Sequence, residues 1–305
     1  MVSVSKYVDV NKLTLGERGT GMLGYPDILT GLIKLGKSIE QIKTGIVIGS
    51  RARTEHPADE YSDVDIVLLV EDIEFFIESD EWLNGFGKYH ISFTEDSIAD
   101  GKERRILFDN ALDVDFIFIQ ANDIDRIEKD TYISEMIGRS YRILFDKIGF
   151  EAVLQRMVSS LKPYMLPSES DFKNTACNFW FHTIWAAKKV LRGELWVAKN
   201  CVDGYMKNML LKMIEIYSHA VNSLTYNTWH SGRFVEQWAE PWIVEEFSEI
   251  YAVYSDIDIL RALFKTIELY RKLAVETAKR LKYKYPYEAE RYALNYLDNI
   301  KRFRN

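Results

Sequence analysis

Two rhythms divide the chain. Up to about residue 150, short β-branched runs alternate with turn and helix signals; beyond it, apolar positions recur at three- and four-residue spacing. In the first part, Ile28, Leu29, Leu32, Ile33, Leu35 and Ile39 predict a helix over 25–42. Gly45-Ile46-Val47-Ile48-Gly49 suits a buried strand, and 63–70 a second. A short helix is expected over 73–79. Strands or parts of strands are expected over 88–94 and 104–108, and a strand rich in Val, Ile and Phe over 113–120. In the second part, helices are expected over 169–192, 201–220, 242–252, 256–282 and 286–303, with Gly193 as a helix stop. The pattern predicts an α+β protein. An α/β domain with a mixed sheet spans 1–150, and an all-helical bundle domain spans 151–305. No internal repeat is visible.

Composition narrows the class. Hydrophobic residues make up 47% of the 305, enough for a sizeable core, and charged residues 28%, an ordinary globular share. Lysine and arginine total 39 against 46 acids, a formal charge of −7. That balance argues against a sequence-independent nucleic-acid binder and leaves room for a cationic substrate. The two cysteines, Cys177 and Cys201, cannot build a disulfide framework or a four-cysteine zinc site, and read as small core residues. The aromatic stripes of the second part likewise read as core, and the five histidines show no metal-ligand spacing. The opening MVSVSKYVDVNKL has no apolar run of the kind a secretory signal needs. The longest aliphatic run, Ile66–Val70, is far short of the roughly 20 residues of a membrane span. A cytoplasmic protein with no membrane partner is expected.

The chemistry concentrates in Gly49-Ser50-Arg51-Ala52-Arg53 and in Asp63-Val64-Asp65. Residues i and i+2 of a strand share a face, so Asp63 and Asp65 stand side by side, about 7 Å apart along the chain. Two carboxylates pinned to one face repel unless a cation lies between them, and hard cations such as Mg²⁺ take carboxylate and phosphate oxygens. The pattern recurs at Asp113-Val114-Asp115, where a third carboxylate would complete a site for one or two metals. A glycine just past a buried strand lets the backbone approach a ligand closely. The Ser50 hydroxyl can donate to a phosphate, with Arg51 and Arg53 adding positive charge or pairing with Asp59 and Glu60.

Gly-Ser after one strand, Asp-x-Asp opening the next and a further Asp on a later strand resemble the nucleotidyltransferase superfamily, which includes DNA polymerase β. The stretch from Gly49 to Ile66 looks closest to the aminoglycoside 6-adenylyltransferases, which act on streptomycin. The likeness continues through Ala187-Lys188, Arg192-Gly193-Glu194, Ser231-Gly232-Arg233-Phe234 and Tyr285-Pro286-Tyr287. The resemblance implies a polymerase-β-like fold and Mg²⁺-dependent transfer of AMP from ATP to an aminoglycoside hydroxyl, with release of pyrophosphate. It implies that Asp63, Asp65 and Asp115 hold the metals. Asp115 would also serve the nucleophile, with Asp113 as the other candidate on that strand. Gly49, Ser50 and Arg51 would hold the phosphates. Lys188, on a helix facing the cleft, would neutralise the triphosphate.

Two departures from the family pattern stand out. Relatives carry a Glu before Phe179-Trp180, where this chain has Asn178, which accepts no proton at neutral pH. Relatives read Asp, Asn and Arg along one helix, where this chain reads Asn200, Asp203 and Lys207. Either the acid has moved to Asp203, Asp171 or Glu169, or the acceptor is another molecule: a lincosamide, another small alcohol or a protein side chain. A third reading is a nucleotide-binding relative with weak catalysis.

Overall fold

The computed structural model describes residues 23–160 and 163–304. The expectation for the opening 13 residues lies outside them. The chain forms two compact units, with the division at Leu161–Lys162.

The first unit is built on six strands: β1 (Ile42–Ile48), β2 (Val64–Val70), β3 (Tyr89–Asp96), β4 (Lys102–Phe108), β5 (Asp113–Gln120) and β6 (Tyr141–Asp146). Their order is β3-β4-β5-β2-β1-β6, with β2 and β5 parallel and the other neighbours antiparallel. Alternation along the strands gives the sheet two faces. One buries Val64, Ile66 and Leu68 of β2 with Val114, Phe116 and Phe118 of β5, against Ile28, Leu32 and Ile33 of α1 (Tyr25–Ser38) and Phe76 of α2 (Ile73–Glu78). The other buries Val67, Leu69, Ile117 and Ile119 against α3 (Ile124–Lys129), α4 (Thr131–Arg139) and α5 (Glu151–Ser159). α5 therefore belongs to the sheet unit, which runs about ten residues past the expected boundary. The sixth strand and helices α3 to α5 had no counterpart in the hydrophobic pattern.

The helix expected over 25–42 stops at Ser38, because Ile42 enters β1 and pairs with Val70. Asp27 Oδ2 accepts from the Gly24 amide at 2.9 Å and closes the start of α1.

The second unit is helical: α6 (Glu169–Leu191), α7 (Leu195–Asn200), α8 (Met206–Val221), the short α9 (Val235–Trp238) and α10 (Pro241–Val244), α11 (Asp256–Leu281) and α12 (Tyr287–Arg304). Ser168 and Ser255 cap α6 and α11 by accepting from amides three residues on. The aromatic stripes meet in the core, where Phe179 stacks on Tyr270 at 3.6 Å and the Trp180 indole donates to Tyr285 Oη at 3.0 Å. Gly193 ends α6 with φ +73°, as expected of a helix stop. Both cysteines are free, and Cys201 is buried. No helix among the described residues is long and apolar enough to cross a membrane.

Two helical expectations change. Residues 201–205 form one wider π turn before α8. Over 242–252, only Pro241–Val244 is helical. Glu245, Glu246 and Glu249 would stack like charges at helical spacing. The Ala252 amide, which such a helix would send to Ser248 O, goes instead to the Asp203 carboxylate at 3.3 Å, while Arg261 donates to Glu249 O and Tyr251 O, Thr266 to Ile250 O and Lys199 to Ala252 O.

The sheet core gives a direct test. Phe116 is fully buried and meets Trp82 edge-on at 5.0 Å. Phe116→Ala is expected to lower the stability of the sheet unit by about 3–5 kcal/mol, read by denaturant titration.

Candidate active site

β2 and β5 run parallel with Val64 opposite Val114 and Asp65 opposite Asp115. The residues preceding these pairs are Asp63 and Asp113. This register puts the carboxylates of two Asp-x-Asp stretches on one face at the same end of the sheet. Carboxylate oxygens of Asp63, Asp65 and Asp115 all lie within 4.8 Å of one another. Asp115 is 5% exposed and its Oδ1 has no hydrogen-bond partner among the described residues. Three convergent oxygen donors with one buried lone pair unmet are a donor set that suits a hard divalent cation.

The Gly49–Arg51 turn closes the β1 side of this cluster. Ile48 pairs with Asp65, and Gly49 follows with φ +68°. A Cβ at Gly49 would collide with Asp65 Oδ2, so both the dihedral and the close approach demand glycine. Ser50 Oγ is buried beside it without a hydrogen-bond partner among the described residues. The turn is braced from β6 and its approach: Ser140 donates to Gly49 O at 3.3 Å and Arg142 to Arg51 O at 3.1 Å.

Arg51 is engaged in the loop. Its Nε donates to Asp63 O at 2.9 Å, and its Nη2 to Ser62 O at 2.7 Å and Asp59 O at 3.3 Å. The guanidinium lies 3.4 Å from the Tyr25 ring centroid. It ties the chain entering β2 to the Gly49–Ser50 turn and so sets where Asp63 stands. Arg53 donates to His56 O at 2.6 Å.

On the far side, Arg105 of β4 pairs with Asp115, its Nε 3.5 Å from Oδ2. It also meets Glu103 at 2.7 Å and Glu95 at 4.0 Å. Sequence reasoning missed Arg105, one of four charged residues that open β4, because only the register brings it to Asp115. Burial pushes the Asp115 carboxyl up to about 7; Arg105 opposes the rise, while Asp113, Glu103 and Asp65 add to it. Asp113 is raised by burial and by Asp63, with Arg105 opposing.

Lys188 lies on α6 in the helical unit, its ammonium 5.4 Å from the Tyr296 ring centroid, and not in the sheet unit that carries the aspartates. Asn178 Nδ2 donates to Tyr205 Oη at 3.1 Å, beside a cavity of about 390 Å³ lined by His182, Trp185, Trp196 and Tyr205. The acids that could replace the family Glu are all engaged. Asp203 pairs with Lys199 and Lys207, Asp171 accepts from Ser168, and Glu169 accepts from the Lys284 amide.

A mixed sheet with three aspartates across two parallel strands and a Gly-Ser turn beside them is the arrangement that the resemblance to nucleotidyltransferases implies. The family assignment follows from sequence. The profile of the streptomycin adenylyltransferase family matches residues 22–300, and the chain belongs to that family. An aminoglycoside 6-adenylyltransferase of Bacillus subtilis is 24% identical over 256 residues, covering 81% of this chain and 87% of the relative. One from Campylobacter jejuni is 23% identical, covering 89% and 93%. The crystal structure of an aminoglycoside 6-adenyltransferase from Bacillus subtilis aligns over 89% of this chain and 97% of that one, at 20% identity and a TM-score of 0.42.

A carboxyl raised in the fold contributes stability below its unfolded pKa, near 4, and loses it as pH rises through the folded value. The melting temperature without metal is therefore expected to fall between about pH 4 and pH 7 through Asp115. The rise in melting temperature on adding Mg²⁺ is expected to be larger at pH 8 than at pH 5. Thermal melts at both pH values, with and without Mg²⁺, check this, and Asp115→Asn should flatten the difference.

Proposed function

We propose that the protein transfers AMP from Mg-ATP to a hydroxyl of an aminoglycoside of the streptomycin type. The observation that carries this reading is the convergence of Asp63, Asp65 and Asp115 beside the unmet Ser50 hydroxyl. The names of the family and of the relatives support the acceptor class.

Asp63, Asp65 and Asp115 would hold one or two divalent cations, which would supply charge neutralisation for the displacement. Gly49 leaves room for the β- and γ-phosphates, and Ser50 Oγ donates to them. Arg51 holds the Asp63 backbone and keeps the phosphate turn and the metal cluster in register. Lys188 enters the reading as a cation for the triphosphate. The acceptor oxygen forms a bond to the α-phosphorus as the bond to the bridging oxygen breaks. Pyrophosphate leaves, and the hydroxyl proton passes to a carboxylate of the β5 pair, Asp115 or Asp113.

Asn178 favours a second reading, the same transfer to another small alcohol, because Asp203, Asp171 and Glu169 are each held by local partners.

Pyrophosphate release from Mg-ATP over a panel of aminoglycosides and lincosamides tests both readings. Release is expected with streptomycin. Asp63→Asn and Asp65→Asn should each lower kcat by a factor of about 10³ or more, as loss of a charge-stabilising group does. Normal turnover in either variant would refute the metal-site reading. Turnover of a lincosamide alone would select the second acceptor class.

A further inference from the structure

The metal cluster belongs to a row of side chains that crosses the sheet. Asp65 on β2 pairs with Asp115 on β5, Asp115 with Arg105 on β4, and Arg105 with Phe93 on the edge strand β3. Paired residues point to the same face, so Phe93 stands on the face of the aspartates, two strand spacings or roughly 10 Å from β5. A second row joins Asp113, Leu107 and Ile91. Phe93 and Ile91 are 48% and 54% exposed, large apolar side chains without cover beside a polar site. Glu95 and Glu103, two residues along from Phe93 and Arg105, share the face, and both approach Arg105.

The direction of the reaction gives this surface a use. Attacking and leaving oxygens lie in line on opposite sides of the phosphorus being transferred. The Gly49-Ser50 turn, where pyrophosphate departs, follows β1 on one side of the aspartates. The opposite side is β5, β4 and β3. The acceptor hydroxyl therefore arrives from the side of Phe93 and Ile91. Asp115 stands at the inner end of that path, 5% exposed and with Oδ1 unmet among the described residues.

We infer that Phe93 and Ile91, flanked by Glu95 and Glu103, form an acceptor subsite that takes an amino-substituted saturated ring. The apolar pair supports the ring face. The two glutamates attract its ammonium or guanidinium groups, outnumbering the single Arg105 between them and the metal cluster. The inference rests on the adenylyl transfer proposed above and assigns its acceptor side.

Calorimetric titration of streptomycin into the full chain loaded with Mg²⁺ and a non-hydrolysable ATP analogue tests it, with pyrophosphate release measured in parallel. Phe93→Ala is expected to weaken streptomycin binding about tenfold and to raise its KM similarly. Affinity for the ATP analogue and kcat at saturation should stay within about twofold, because Phe93 is exposed and outside the metal cluster. Phe93→Tyr should restore binding, and Glu95→Gln should weaken it in a salt-dependent manner. Unchanged streptomycin affinity in Phe93→Ala would overturn the inference while leaving adenylyl transfer intact. Weakened nucleotide binding with unchanged streptomycin affinity would overturn it too, and would make the pair a nucleobase platform. Binding of the ATP analogue by the native chain without binding of streptomycin would refute the acceptor class and the subsite with it.

Discussion

Two carboxylates face each other across a pair of parallel strands. Asp65 and Asp115 are direct partners in the β2–β5 ladder, with Asp63 joining them within 4.8 Å. Like charges in such a position work against the sheet. The surroundings are organised around that cost. Phe116 and Phe118 anchor β5 in the opposite face, so Asp115 cannot turn away without exposing an aromatic core. Gly49 yields its Cβ space to Asp65. Arg51 holds the chain into Asp63 through three carbonyls, and Arg105 compensates Asp115 from β4. Asp115 is held well above the usual carboxylate range, first by burial and then by Asp113, Glu103 and Asp65, against the opposing Arg105. Three converging carboxylates of this kind are a donor set that suits a hard divalent cation.

Much of this was legible along the chain. Near-continuous β-branched and aromatic runs located β2 and β5, and the two-residue period of a strand put each Asp-x-Asp on one face. Gly49 and Ser50 were readable from their position after a buried run. The pairing of the strands was not readable, because register is a long-range property: Arg105 approaches Asp115 only because β4 lies antiparallel to β5. Arg51 was legible as a charge near phosphate, but its donors are spent on backbone carbonyls that no local pattern reveals. Strand β6 and helices α3 to α5 escaped because each is short and its apolar positions become informative only once the sheet they cover is known. The helix expected over 242–252 fails for a related reason, since the Ala252 amide goes to Asp203, a residue far away in sequence.

The helical unit shows how a family pattern can be retained while its polar details change. Asn178 stands where the resemblance implies an acid, and its amide is bonded to Tyr205 at the rim of an aromatic cavity. The nearby carboxylates serve structure: Asp203 neutralises Lys199 and Lys207, whose ammonium burial pushes down to about 8. The proton transfer proposed for the sheet unit needs none of them.

The most direct test of the cation's place is Mn²⁺ binding followed by electron paramagnetic resonance, in the presence of a non-hydrolysable ATP analogue. The native chain should bind Mn²⁺ stoichiometrically, and Asp65→Ala should weaken that binding by at least about 10- to 100-fold, the loss that removing even a residue behind the ligands causes. Equal binding by native chain and variant would contradict the account, because the paired aspartates would then be holding no metal.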